Sequence, residues 1–201
     1  MTTDYRRRLY GSYVSAHLGR DDLEGRLLSR RPFMESLVKA HFPPELDAKI
    51  AEFGCGYGAL LYYARKLGYT NISGIDISAE QVAAAERLGI SGVAQGDFCG
   101  AITALGDGSV DTVVTIDVIE HLTRNELIDF VDEIFRVLRP GGRWITHQPN
   151  AASPFFGSIR YGDLTHETAY TSGSIRQLAF TCGFSSVACY EDVPVHTGSR
   201  V

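Results

Sequence analysis

The sequence predicts an open α/β sheet, doubly wound and mostly parallel, with helices ahead of it. Three observations lead there. Short β-branched runs alternate with helical patterns between residues 49 and 148, a glycine-rich turn stands where the first run meets the first helix, and acids mark the ends of successive runs. Such alternation builds βαβ units, whose crossover helices cover both faces of a parallel sheet. A chain of 201 residues holds one well-buried core and is short for two. We therefore expect a single domain over 1–201, with a helical N-terminal part (1–44) and an α/β core (45–201).

From Asp4 to His41 the apolar positions recur at helical spacing, interrupted at Gly19 and at Arg31-Pro32, which predicts two or three short helices closed by Pro43-Pro44. Strands are then expected at Lys49–Phe53, Ile72–Ile77, Val93–Gln95, Val110–Asp117 and Arg143–Gln148. Helices should fill Ala59–Leu67, Ala79–Leu88 and Asn125–Leu138. Arg139-Pro140-Gly141-Gly142 supplies the stop and turn before the fifth strand. Residues 149–168 look irregular; a helix at Ser174–Cys182 and a strand at Ser186–Asp192 follow. Sheets of this kind often close with an antiparallel pair, of which the sequence offers one member.

Hydrophobic residues make up 44% and charged residues 21%, a globular composition with no low-complexity tract. The net charge of -5 argues against a general grip on nucleic acid, which needs a basic face. The first forty residues are nevertheless basic, and Arg6, Arg7 and Arg8 suit either a solvated end or an anionic surface. Cys55, Cys99, Cys182 and Cys189 are scattered, so neither a zinc site nor a disulfide framework is indicated, and a reducing cytoplasm fits. No apolar run is long enough to span a bilayer, and no export signal is apparent at the start.

Chemistry concentrates at the strand ends. In Glu52-Phe53-Gly54-Cys55-Gly56-Tyr57-Gly58 the glycines let the backbone turn sharply, and a ligand can lie against main chain at a helix N-terminus. Gly54-x-Gly56-x-x-Ala59 also satisfies a dinucleotide fingerprint, so the loop alone does not choose a cofactor. Glu52 discriminates: its carboxylate repels a pyrophosphate and attracts the amino group of S-adenosylmethionine. Asp76 ends the second run, where an acid can accept both ribose hydroxyls. Asp97, after the third, can accept from an adenine amine while Phe98 packs on the ring.

With these residues assembled, the chain resembles the class I S-adenosylmethionine-dependent methyltransferases from about Lys49 to Gly183. The likeness rests on Glu52 to Gly58, Asp76, Gly96-Asp97-Phe98, Asp117-Val118-Ile119-Glu120-His121-Leu122 and Arg136-Val137-Leu138-Arg139-Pro140-Gly141-Gly142. It implies a Rossmann-like methyltransferase fold with an N-terminal helical lid at Asp4–His41, and S-adenosyl-L-methionine as cofactor. It also implies methionine-end contacts from Glu52, Gly54, Cys55, Gly56, Gly58 and Asp117, ribose contacts from Asp76 with Ile77 beside it, and adenine contacts from Asp97 and Phe98. Arg30 or Arg31 would reach the cofactor carboxylate from the lid, or form a surface ion pair.

Methyl transfer from a sulfonium needs alignment more than covalent help. A hydroxyl acceptor must also lose a proton, so a base or a metal is expected near the strand ends. His147, His121, His166 and Asp163 are the candidates. His147 ends the fifth strand, His121 can equally cap or pack, and Asp163 and His166 lie on the long loop. Asp117, His147, Asp163 and His166 would also suit a divalent metal such as Mg2+ on a sugar diol. The segments 147–155 and 160–167 resemble a small bacterial subgroup associated with sugar and polysaccharide O-methylation. The expectation is thus O-methylation of a saccharide or other small hydroxylated metabolite, with self-association to a homo-oligomer left open. An NAD-type oxidoreductase, a catalytically silent binding module, and a methyltransferase acting on a carboxylate or amine are the alternatives. No Asn-Pro-Pro-Tyr-type motif follows the fourth strand, which weighs against an amine.

Overall fold

The structure is a computed structural model that describes residues 8–9 and 22–191. Of the helices expected ahead of Asp22 only Arg8 and Leu9 are described, both helical; the rest, with the run Arg6-Arg7, falls outside the described residues. Helix α1 (Leu23–His41) is capped by Asp22, whose side chain accepts from the Gly25 amide at 2.7 Å. It runs unbroken through Pro32, against the predicted interruption. Proline removes one donor and crowds the preceding turn. Here Tyr63 donates its hydroxyl to the Leu27 carbonyl at 2.8 Å, just before the carbonyl that Pro32 leaves unmatched. Leu27, Met34, Leu37 and Val38 are buried on both sides of the proline, so one packed face holds the helix together.

The sheet comprises β1 (Ile50–Phe53), β2 (Ile72–Asp76), β3 (Val93–Gln95), β4 (Val110–Ile116) and β5 (Leu138–His147). Its order is β3-β2-β1-β4-β5, and every pair is parallel. The order reverses between β1 and β4, and the crevice outside the strand ends at such a switch point is where ligands bind in open α/β sheets. Helices α2 (Ala59–Lys66), α3 (Ala79–Arg87), α4 (Phe98–Thr103) and α5 (Arg124–Val137) make the crossovers, followed by α6 (Phe156–Arg160) and α7 (Ser172–Thr181). One core cluster lies between α1, α2 and the sheet around Leu60, Leu61 and Val114. A second, on the other face, gathers Phe53, Val113, Phe130, Ile134 and Ile175.

Local chemistry explains the boundaries. Thr123 and Glu126 form a reciprocal capping box that starts α5 one residue earlier than the sequence suggested. β5 pairs from Leu138 because Val110 faces Leu138 and Thr112 faces Arg143, with Arg139 to Gly142 as an irregular excursion between them. The turn read in Arg139-Pro140-Gly141-Gly142 is therefore present, inside the strand. Two short helices, α4 and α6, were not foreseen: six and five residues are too few for a periodic signal. Ser186 to Tyr190, expected as strand, has no strand pairing, and among the described residues the sheet has five strands. The four cysteines form no disulfide. No helix of the described residues is long and apolar enough to cross a membrane.

Candidate functional site

Glu52 lies in β1 with 3% of its surface exposed, and its Oε2 has no hydrogen-bond partner. Burial pushes its carboxyl well above the usual range and the nearby Asp76 pushes it further, while the Arg30 guanidinium opposes both. An orphaned, buried carboxyl oxygen costs stability unless a ligand donates to it. Beyond β1 the chain turns through Gly54, Gly56 and Gly58, all at positive φ. The turn is tied to β2: the Gly54 and Cys55 amides donate to the Ile75 carbonyl at 2.8 and 3.1 Å. The Gly56 amide donates to Asp76 Oδ2 at 2.7 Å. Asp76 accepts a second amide, from Ser78, at 2.8 Å on Oδ1. Its half-buried carboxyl is nevertheless raised by burial, against those two amides. Cys55 is buried, and burial followed by the Glu52 and Asp76 charges drives its thiol strongly up, so it acts as packing and not as a nucleophile.

At Gly54, with φ +72°, a Cβ would stand 2.4 Å from Val118 Cγ2. Gly54→Ala is therefore expected to combine left-handed strain with overpacking, about 2–4 kcal/mol together. A fall in Tm on the order of 10 °C in a thermal melt is the expected reading. An unchanged Tm would mean that the turn tolerates side-chain bulk.

The other expected cofactor residues divide. Asp97 is exposed and caps α4 by accepting the Cys99 amide at 3.2 Å. Phe98 is half-buried, with one side of its ring on Phe130 at a centroid distance of 4.9 Å. Ile77 is half-buried beside Asp76. Of the two lid arginines, Arg31 pairs outward with Glu35 at 2.7 Å, whereas Arg30 acts on Glu52 and lies over Phe33.

Asp117 follows β4 in the left-handed region at φ 54, a conformation aspartate tolerates better than most residues. Its Oδ1 meets His147 Nδ1 at 2.8 Å. Its amide donates to the His147 carbonyl at 2.9 Å. An ionised carboxylate only accepts, so the shared proton is on Nδ1 and the imidazole lone pair on Nε2. Phe33 of α1 meets the His147 ring edge-on at 5.1 Å, bringing the helix expected as a lid onto this pair.

His121, Asp163 and His166 converge in the same cleft. Thr165 Oγ1 donates to Asp163 Oδ1 at 2.6 Å and contacts His121 Nδ1 at 2.8 Å. The His121 and His166 rings are 4.8 Å apart. Burial lowers the His121 pKa, and the nearby His166 lowers it further. Sequence reasoning missed Glu120 here. It is 2% exposed, and neither carboxylate oxygen has a hydrogen-bond partner. Burial, then the Asp117 charge, pushes it up to about 8. The one available sign was an acid directly after the apolar pair Val118-Ile119 and directly before the candidate His121. The long loop docks onto this turn: the Glu167 and Thr168 amides donate to the Glu120 carbonyl at 2.8 and 3.1 Å. The Tyr170 hydroxyl donates to the Ile119 carbonyl at 2.9 Å. Phe33, Asp117, Glu120, His121, His147 and His166 thus line one cleft outside the ends of β4 and β5.

A methyltransferase-domain family model matches residues 51–146, from the Glu52 strand through β5. A relative from Mycolicibacterium smegmatis, described as a probable S-adenosylmethionine-dependent methyltransferase, is 34% identical over 140 residues, covering 67% of this chain and 51% of its own. Over this core the chain is similar to the class I S-adenosylmethionine-dependent methyltransferases. The chain is also 32% identical over 136 residues to ajmaline N-methyltransferase of Rauvolfia serpentina, covering 63% of this chain and 46% of that protein. It spans about half the length of these two relatives. The fold is shared with the crystal structure of a SAM-dependent methyltransferase from Archaeoglobus fulgidus, with a TM-score of 0.68 at 19% identity, covering 80% of this chain and 74% of that one. The dinucleotide reading of Gly54-x-Gly56-x-x-Ala59 gives way to this family, whose cofactor is S-adenosylmethionine. The residues fit that cofactor: the orphaned Glu52 oxygen requires a donor, and the bare glycine turn leaves main chain open beside it.

Proposed function

We propose that this methyltransferase domain methylates a hydroxyl of a small, hydroxylated acceptor, most naturally a saccharide, held in the cleft over β4 and β5. The observation that carries the reading is the Asp117–His147 pair at 2.8 Å, which turns a strand-end histidine into an oriented base. Glu52, Gly54, Cys55, Gly56, Gly58 and Asp117 would hold the methionine end of the cofactor, with Asp76 and Ile77 at the ribose and Asp97 and Phe98 at the adenine edge. S-adenosylmethionine supplies an electrophilic methyl group on sulfur. His147 takes the acceptor proton while Asp117 stabilises the imidazolium that results. Phe33 and α1 exclude water from that side, as expected of a lid.

An amine acceptor is the second reading, supported by the carboxyls of Asp117, Glu120 and Asp163 in the cleft and by the name of the Rauvolfia relative. Incubation with methyl-labelled cofactor and panels of hydroxylated sugars, carboxylic acids and amines separates the two. Label in sugar ethers is the expected result. Label confined to amines or to carboxylates would overturn the hydroxyl assignment.

A further inference from the structure

The Glu120 carboxyl is too well buried and too poorly matched to be a structural acid. Both oxygens lack a hydrogen-bond partner, although the side chain faces two histidines. One ligand-capable atom each from Glu120, His121 and His166 lies within 4.8 Å of the other two. Three ligands placed around an ion at about 2.1 Å sit roughly 3–4 Å apart, so small side-chain rotations close the cluster.

The neighbouring hydrogen bonds prepare His121 for this role. The Asp163 carboxylate accepts the only proton of the Thr165 hydroxyl, at 2.6 Å. Thr165 Oγ1 must then accept at its 2.8 Å contact with His121 Nδ1, which places the ring proton on Nδ1 and the lone pair on Nε2. A carboxylate acting through an intermediary to fix a histidine tautomer is the usual outer support of a metal-bound imidazole. Thr165 is itself buried, at 2% exposure. The turn carrying Glu120 and His121 and the loop carrying His166 are held together by the two amides on the Glu120 carbonyl, so the three ligands share one rigid base.

We propose that Glu120, His121 and His166 form a site for a divalent first-row transition ion, with its remaining positions open to the cleft. Two imidazoles and one carboxylate favour Mn2+, Fe2+, Co2+ or Zn2+ over Mg2+ and Ca2+, which prefer oxygen ligands. This differs from the magnesium-like set read from the sequence. Asp117 and His147 pair with each other, and Asp163 orients His121 through Thr165. Asp117 and His147 line the same cleft as these three side chains. The site is separate from the glycine turn, and its occupancy does not require methyl transfer.

The test is calorimetric titration of the full chain with Mn2+, Co2+, Zn2+ and Mg2+, with absorption spectra recorded for Co2+. Wild type is expected to bind one Co2+ with visible ligand-field bands of a nitrogen-containing site, and to bind Mg2+ at least tenfold more weakly. Glu120→Gln and His166→Ala should each weaken Co2+ binding by tenfold or more, and Thr165→Val by about tenfold through the lost support. Parallel titration with S-adenosylhomocysteine checks that each variant is folded, and it separates failure of this site from failure of the methyltransferase reading. Equal Co2+ affinity in wild type, Glu120→Gln and His166→Ala, or a preference for Mg2+, would overturn the proposal.

Discussion

Glu52→Gln is expected to make the apo protein more stable and the cofactor weaker at once. The Glu52 carboxyl is raised well above its ordinary 4.5 by burial, so the folded state retains a proton that the unfolded chain releases. Apo stability therefore falls as pH rises above about 4.5, by up to about 1.4 kcal/mol per unit until the folded pKa is reached. Glutamine has no such dependence. The variant's advantage should be small at pH 5 and should widen as pH rises, read as a growing gap in Tm. The same change should weaken S-adenosylhomocysteine binding about 100-fold, because a charge-assisted bond to its ammonium is lost. A variant less stable than wild type at every pH, with unchanged affinity, would show that Glu52 is a structural acid.

The second large effect is on turnover. His147→Gln is expected to lower kcat by about 10²–10⁴ while leaving S-adenosylhomocysteine affinity nearly unchanged, the pattern of a lost general base. Asp117→Asn should lower kcat as well, since asparagine tolerates the left-handed backbone at φ 54 yet no longer fixes the imidazole proton. If kcat for His147→Gln stays within a few fold of wild type, proton removal belongs to another group in the cleft, and the role given to the Asp117–His147 pair is wrong.

The sheet was legible because its signals are local and repetitive: β-branched runs at regular intervals, with glycines and acids at their ends. The exceptions have physical causes. Pro32 reads as a break on local grounds, but a continuous buried face keeps α1 intact. Ser186 to Tyr190 has strand composition but no strand partner among the described residues. In the site, Glu52 and Asp76 stand out because each sits beside the glycine turn in the sequence as well as in space. The Asp117–His147 pair was visible only as two separate candidates, since its 30-residue separation is closed by the β4–β5 pairing. Glu120 was hidden for a different reason. Its importance lies in what it lacks, and the absence of a partner cannot be read until the 44- to 46-residue return of the long loop is in place.

The central claim is that the buried, unpartnered Glu52 carboxyl waits beside the glycine turn for the ammonium group of an adenosyl amino acid. Calorimetric titration of S-adenosylhomocysteine into the wild-type chain, repeated in buffers of different ionisation enthalpy, tests it most directly. One ligand should bind per chain, with a net release of protons as Glu52 ionises. No heat from S-adenosylhomocysteine alongside tight binding of NAD, or binding with no proton exchanged, would contradict it.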